Sequence, residues 1–409
     1  MAILGFGLMR LPLKDPADQS SVDVEQTKRM VDMYLEAGLD YFDTAYMYHG
    51  NQSERAIKEA LVDRHPRESY RIATKLPIMM VSDPERAEEI FDEQLEKIGV
   101  GYFDCYLVHN VCSEFLPNAE SCKAFELVRR KKAEGKIRRI GFSFHDGPEL
   151  LEKVLTEHPE MEFVQLQVNY LDMDNASIAS RANLEVARKH GIPVIVMEPV
   201  KGGILADVPE EAERILRDMY PDLSPAAWAL RFAMSQEGVE IVLSGMSSVE
   251  QMEDNLMACK GYGSMSQEEI AAVEKAAEII SSNIAIPCTK CRYCMKTCPK
   301  DVLIADYFEL YNAERANPSK GWSVPEMYYK NRSKGHGKAS DCIGCGKCEE
   351  QCPQHLKIID LLKDVAGLFE KSRKPIKENC GAVPAPLQRF QSFLAMAAHW
   401  AFTSSLFSA

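Results

Sequence analysis

"FDTAYMYHGNQSE", residues 42–54, joins an apolar run ending in an aspartate to a polar turn and then to the start of a helical pattern. A short strand that delivers charged and aromatic groups at its far end and turns straight into a helix is the repeating unit of an α/β fold. Seven further runs share its character: AILGF (2–6), YRIATKL (70–76), FDCYLVH (103–109), IRRIGFSF (137–144), FVQLQVN (163–169), PVIVME (193–198) and VEIVLSG (239–245). Helical spacing fills intervals between them at 24–37, 53–62, 83–98, 119–132 and 177–189. Eight strand–helix units in this length predict a (β/α)8 TIM barrel. An open doubly wound sheet is the alternative, but Gly5 and Gly7 do not extend into the G-x-G-x-x-G phosphate loop such a sheet uses for dinucleotides.

In a barrel the reacting groups stand at the C-terminal strand ends and in the loops that follow. Those ends carry Asp43 and Tyr48, then Lys75 in "ATKLP", then His109 in "YLVHN", so one mouth receives all four. Chance placement is the competing reading, and four suitable residue types at three successive strand ends weigh against it. His49, beside Tyr48, has no such support.

These residues, together with "GFGLMRL" on the first strand, "IGFSF" on the fifth, "VQLQVNY" on the sixth and G-N-x-S-E after Tyr48, resemble the aldo-keto reductase family over nearly all of residues 2–260. The resemblance implies hydride transfer between a nicotinamide dinucleotide and a carbonyl or alcohol. A carbonyl that accepts hydride becomes an alkoxide and needs a proton, for which a phenol with a pKa near 10 is a sluggish donor. Lys75 is expected to lower the Tyr48 pKa, Asp43 to hold Lys75 charged, and His109 to orient the substrate oxygen. Carried over from the family, Ser143 and Gln165 bind the nicotinamide carboxamide, although Phe144 stands where Asn is common and Met197 where an aromatic ring usually stacks. Glu198, next along, has no assigned role. The stretch "LSGMSSVEQMEDNL" (243–256) matches the adenosine loop, with Gly245, Ser247, Ser248, Gln251 and Asn255 as contacts. It holds no Lys or Arg between 242 and 258, which favours NAD over NADP, whose 2'-phosphate calls for a cation. The family's hairpin ahead of the first strand is missing, so either another segment covers the barrel floor or the start is incomplete.

After a further helical stretch at 267–281 the pattern changes. Cys288, Cys291, Cys294 and Cys298-Pro299 follow C-x2-C-x2-C-x3-C-P, and Cys342, Cys345, Cys348 and Cys352-Pro353 repeat it. This resembles two-cluster bacterial ferredoxins, in which the fourth cysteine of each run crosses to the other cluster. The resemblance assigns one [4Fe-4S] cluster to Cys288, Cys291, Cys294 and Cys352, and a second to Cys342, Cys345, Cys348 and Cys298. Structural zinc is the alternative, and it would need two cysteine pairs per site rather than three in series. Between the runs a helix at 302–316 and then a Gly, Ser and Lys rich loop are expected. Cys105, Cys112, Cys122, Cys259 and Cys380 lack ligand spacing and read as buried or incidental thiols. The expected division is therefore a barrel at 1–282, a ferredoxin-like domain at 283–370 and a tail at 371–409.

A formal charge of −13 without a basic block excludes nucleic acid and anionic membranes as favoured partners. The start lacks a basic segment before a long apolar run, so no secretory signal is read and a cytoplasmic protein is expected. Residues 390–409 contain no charge, and Phe390, Phe393, Leu394, Ala397, Trp400 and Ala401 share a helical face. That reads as a docking helix, with interfacial membrane attachment as the alternative.

Two chemistries thus meet in one chain, because a hydride carries two electrons and a cubane passes one. Three readings follow: a redox enzyme whose clusters trade electrons with a flavoprotein or carrier, a carbonyl reductase with a structural or sensing appendage, or a nucleotide-binding redox-responsive module. The intact Asp43, Tyr48, Lys75 and His109 set argues against the third. The loop at 111–118, with Phe115 and Leu116, suggests an apolar pocket wall.

Overall fold

Each of the eight apolar runs forms a strand in the computed structural model, which describes residues 3–370 except 17, 114, 176–177, 261 and 317–323. The strands are β1 Ile3–Gly7, β2 Tyr41–Asp43, β3 Arg71–Leu76, β4 Phe103–Val111, β5 Ile137–Phe144, β6 Phe163–Gln167, β7 Val194–Met197 and β8 Val239–Gly245. All pair in parallel in chain order, and β1 closes on β8 with Ile3 facing Ile241 and Gly7 facing Gly245. A closed ring has no sheet edge, so the open-sheet alternative is excluded. The runs are almost wholly apolar because the helices cover one face of each strand and the barrel interior covers the other.

Tyr41, Ala73, Cys105, Leu107, Phe163, Ile195 and Ile241 fill the lower interior of the barrel. Gly141 is required there, since a Cβ on it would stand 2.5 Å from the Phe163 carbonyl oxygen. At the N-terminal strand ends, Arg71 grips Asp40 through two hydrogen bonds of 2.9 and 2.6 Å. Arg139 grips Glu240 in the same way at 2.9 and 3.0 Å. The two guanidinium groups lie over the rings of Tyr41 and Phe163. These pairs and rings stand at the floor of the barrel.

Three helical expectations need correction. The 53–62 stretch is a short α-helix, Ser53–Ile57, that widens into a π-turn at Lys58–Val62. The 119–132 stretch is two helices, Leu116–Ser121 and Ala124–Ala133, parted at Lys123, whose left-handed backbone (φ 53°) no continuous helix accommodates. The expected loop after residue 316 contains a helix at Val324–Arg332, where Tyr329 packs on Tyr307 and Phe369. Its apolar anchors are too few and too irregular to give a periodic signal.

Residues to Glu370 form one compact unit with separate apolar cores. The large core lies between the barrel and its helices, and a smaller one gathers Ile286, Val302, Ile304, Tyr307, Phe308, Tyr329, Ile358, Leu362 and Phe369 around Cys294 and Cys348. The expected tail helix lies outside the described residues. Among the described residues no helix is long and apolar enough to cross a membrane.

Candidate active site at the barrel mouth

The C-terminal strand ends open into a cavity of about 550 Å3 whose wall includes Asp43, Tyr48, His109, Ser143 and Gln165, and farther along Gly245, Ser247, Gln251 and Asn255. The buried Lys75 ammonium donates to Asp43 Oδ1 at 2.5 Å and to the Thr44 carbonyl at 2.7 Å, and stands 3.4 Å from the Tyr48 hydroxyl. Gln165 donates its side-chain amide to the other Asp43 oxygen at 3.2 Å. The Tyr48 and His109 rings meet edge to face, with centroids 6.1 Å apart, and His109 Nδ1 is buried with no partner among the described residues. All four residues expected at the mouth are therefore brought together.

The expectation that Lys75 lowers the Tyr48 pKa does not hold. Burial pushes the phenol well above its usual range, and the charges of Asp43 and Glu198 add to this. The physical reason is that Lys75 pairs with Asp43 rather than with the phenol, so desolvation dominates at Tyr48 and the nearby acids reinforce it. Burial also lowers Lys75 and raises Asp43, the response of a pair removed from water. His109 is held well below the usual histidine range by burial and then by Lys75, and His145 in the same wall is brought to about 4.

These directions fix a pH dependence. Tyr48 stays protonated as pH rises and His109 stays neutral as pH falls, so carbonyl reduction should be level from about pH 6 to about pH 9. A limb titrating inside that window in a plot of kcat/KM against pH would contradict the assignment. Stability behaves differently: these histidines fold neutral but protonate when unfolded, so the stability they contribute is present above about pH 6.5 and is lost as pH falls below it.

The G-N-x-S-E segment serves the site from behind. Ser53 Oγ and Thr44 Oγ1 share a hydrogen bond of 2.8 Å, and the buried Glu54 accepts from Thr74 at 2.7 Å and Gln94 at 2.6 Å. Gln94 also donates to the Lys75 carbonyl at 3.1 Å, so the motif braces the strand that carries the lysine. His49 has a structural task, accepting the Leu11 amide at 3.0 Å.

Among the remaining predicted cofactor residues, Ser143 Oγ accepts the Asn110 amide at 2.8 Å and Asn255 donates to Ser244 at 2.7 Å. Ser248 caps the following helix through Gln251, and Gln251 accepts the Ser247 amide at 2.7 Å. Phe115 and Leu116 pack into the large core rather than the cavity, whose apolar wall comes instead from Met9, Met79, Met197 and Val200. The sequence reading also missed Arg10. It lies against Gly245 and donates to the Thr289 carbonyl at 3.0 Å, and no local motif announces it.

Thr289, Cys291, Tyr293, Pro353 and Gln354, all from the cysteine-rich segment, line the same barrel cavity. A second, small cavity is ringed by Cys288, Cys291, Cys294 and Cys352, and it shares Thr289, Cys291 and Gln354 with the first. Four thiols, three from one run and the fourth from the other, around one apolar hollow fit the cubane set expected from the sequence. Among the described residues no three His, Cys, Asp or Glu are placed to hold a single metal ion, as zinc would require. For the other set, Thr297 donates to the Lys347 carbonyl at 3.3 Å, which brings the neighbouring Cys298 to the run containing Cys342, Cys345 and Cys348.

The loop after β7 joins the two regions. Lys201 Nζ, buried, donates to both Asp172 oxygens at 2.5 and 2.7 Å and to Gln354 at 3.1 Å, while Gln354 donates to Gln167 at 3.0 Å. Gly202 (φ +66°) approaches so closely that a Cβ would stand 2.2 Å from the Thr289 carbonyl oxygen.

Residues 3–278 match the aldo/keto reductase family and residues 287–357 a 4Fe-4S dicluster domain. The chain is 25% identical to an uncharacterized oxidoreductase of Bacillus subtilis over 62% of its own length and 89% of the relative. It is 28% identical to the NADH-specific methylglyoxal reductase of Escherichia coli, over 56% of this chain and 82% of that protein. Among solved structures it resembles the holo form of an aldo-keto reductase from Bacillus halodurans, with TM-score 0.54 and 25% identity, covering 67% of this chain and 91% of that one. An aldo-keto reductase from Klebsiella pneumoniae in complex with NADPH shares the fold at TM-score 0.53 and 20% identity, covering 66% and 89%. With a closed barrel, a polar mouth and a matching span of this length, the chain belongs to the aldo/keto reductase family of oxidoreductases and carries a 4Fe-4S dicluster domain behind its barrel.

Proposed function

We propose that this protein reduces a small carbonyl compound, or oxidises the corresponding alcohol, with NAD(P)H in the barrel spanning residues 1–282. We further propose that the 283–370 segment holds two [4Fe-4S] clusters that exchange electrons with a flavoprotein or small carrier. The observation that carries the first part is the convergence of Asp43, Tyr48, Lys75 and His109 on one cavity that continues to Ser247 and Asn255. The cavity has room and polar groups for a nicotinamide dinucleotide, with Ser143 and Gln165 at one end and Gly245, Ser247, Gln251 and Asn255 at the other, where Ser248 caps the helix that follows. When bound, the dinucleotide supplies the hydride.

The chain's own residues do the rest. Tyr48 donates the proton to the developing alkoxide, His109 orients the substrate oxygen, and Lys75 with Asp43 sets the field at Tyr48. Proton donation by a part-buried phenol with a raised pKa works because the product oxygen is a far stronger base than the phenolate left behind. Arg10 donates one guanidinium N–H to the Thr289 carbonyl, and NAD is favoured over NADP by the 242–258 stretch, which holds no Lys or Arg.

The electron-transfer role is supported by Cys291, which belongs to the first cubane set and also borders the barrel cavity. Since nicotinamide is a poor one-electron donor, the clusters and the hydride chemistry should work separately in the isolated protein. The test is anaerobic: mix protein containing both clusters with NADH or NADPH, with and without an aldehyde, and follow cluster absorbance and cofactor oxidation together. Cofactor consumption that needs the aldehyde, with cluster absorbance unchanged, is expected; bleaching by NAD(P)H alone would overturn the separation.

A further inference from the structure

Arg10, in the turn after β1, touches both the cysteine-rich segment and the end of β8. Its guanidinium donates to the Thr289 carbonyl at 3.0 Å, and its own carbonyl accepts the Ser247 hydroxyl at 2.8 Å. Its methylene stem lies against Gly245, where a Cβ would stand 3.2 to 3.3 Å from it. Arg10, Gly245, Ser247 and Thr289 all line the barrel cavity. One side chain therefore reaches from the loop expected to hold adenosine to a residue between Cys288 and Cys291. The stretch that it grips has little structure of its own. Residues 287–292 are irregular, and Lys290 (φ 55°) and Arg292 (φ 64°), on either side of Cys291, hold left-handed backbone although both carry a Cβ. Such conformations persist only where the surroundings fix them. Thr289 joins Cys288, Cys291, Cys294 and Cys352 around the small cavity that fits the first cubane, and ligation of those thiolates fixes the backbone between them. On the barrel side, the close approach of Gly202 holds the Thr289 carbonyl where Arg10 meets it.

Taking the cavity as an NAD(P)H site, we propose that Arg10 is a positioning residue that couples the first cluster to dinucleotide binding, an inference that rests on that reading. With the cluster on Cys288, Cys291, Cys294 and Cys352, the Thr289 carbonyl is fixed and Arg10 holds residues 245–247 in the form that binds. Loss of the cluster frees residues 287–292, Arg10 loses its acceptor, and NADH binds more weakly. Linkage makes the effect mutual, so bound NADH retains the cluster. No electron passes in this coupling, which leaves hydride transfer within the barrel.

The test is a double-mutant cycle on the full chain, kept anaerobic, with NADH affinity read by fluorescence titration and iron content recorded for every protein. Cys294 rings the small cavity without lining the barrel cavity, so Cys294→Ala removes the first cluster and leaves the wall's own residues in place. It should weaken NADH by about 5- to 150-fold, the ordinary range for coupled sites. Cys345→Ala, at an exposed ligand of the other set, should change affinity by less than about 2-fold, as independent sites do. In an Arg10→Met background the Cys294→Ala step should shrink to about 2-fold or less. Arg10→Lys keeps a donor without the planar fork and should restore part of the coupling. A second measurement needs no cysteine variant: in wild type holding both clusters, saturating NADH should slow the release of one cluster's iron to a chelator, and Arg10→Met should abolish that protection. Equal weakening by Cys294→Ala with and without Arg10, equal weakening by Cys345→Ala, or iron release indifferent to NADH overturns the proposal and leaves NAD(P)H binding standing. A cluster-loaded wild type that binds neither NADH nor NADPH removes that reading and this inference with it.

Discussion

Tyr48→Phe should lower carbonyl reduction by about 10²- to 10⁴-fold in kcat, the usual contribution of a positioned general acid. The substitution removes one hydroxyl and leaves the ring edge to face with His109, so nucleotide affinity and the unfolding transition should hardly move. Lys75 retains Asp43 and the Thr44 carbonyl, which leaves no buried cation stranded by the change. A Tyr48→Phe enzyme that keeps more than about a tenth of wild-type kcat would remove Tyr48 as the donor, leaving His109 as the remaining candidate.

Lys201→Met should destabilise the protein by about 3–5 kcal/mol, the cost of leaving one partner of a buried ion pair behind. Asp172 has an almost fully buried side chain, and its remaining donors, Gln167 at 2.8 Å and Asn169 at 2.7 Å, are neutral. Gln354 loses a donor in the same step, and it follows Pro353 and the predicted cluster ligand Cys352. Denaturant unfolding should show the loss, and iron should be released at lower denaturant than in the wild type. Lys201→Met with Asp172→Asn should recover part of the stability, because the stranded charge is gone. An unaltered unfolding curve for the single variant would show that the pair does not tie the loop after β7 to the cysteine-rich segment.

Much of this was legible in the sequence because the signals were local or regularly spaced. The eight strands stand out as apolar runs such as FDCYLVH and IRRIGFSF, which a parallel barrel buries on both faces. The cysteine runs were legible because a cubane imposes fixed intervals on its ligands. The four mouth residues followed from strand ends, and Asp43, Lys75 and His109 fall where the periodicity stops.

What could not be read depended on contacts across the chain. Arg10 and Thr289 are 279 positions apart, and Gln167 and Gln354 are 187 apart, so no window of sequence pairs them. The direction of the Tyr48 shift needed the extent of its burial, which residue type alone does not give. Lys123 breaks a helix that periodicity would continue, because nothing in its neighbourhood marks a left-handed residue. Phe115 and Leu116 looked like a pocket wall from their apolar character, which serves a core equally well.

The central claim is that hydride passes within the barrel to the carbonyl carbon, with the clusters outside that step. It is tested by running aldehyde reduction anaerobically with nicotinamide dinucleotide deuterated at the transferring position and locating the label in the alcohol. Deuterium is expected on the carbinol carbon of the product. Reduced product without deuterium, its new C–H hydrogen taken from solvent, would contradict it and assign the reducing electrons to the clusters.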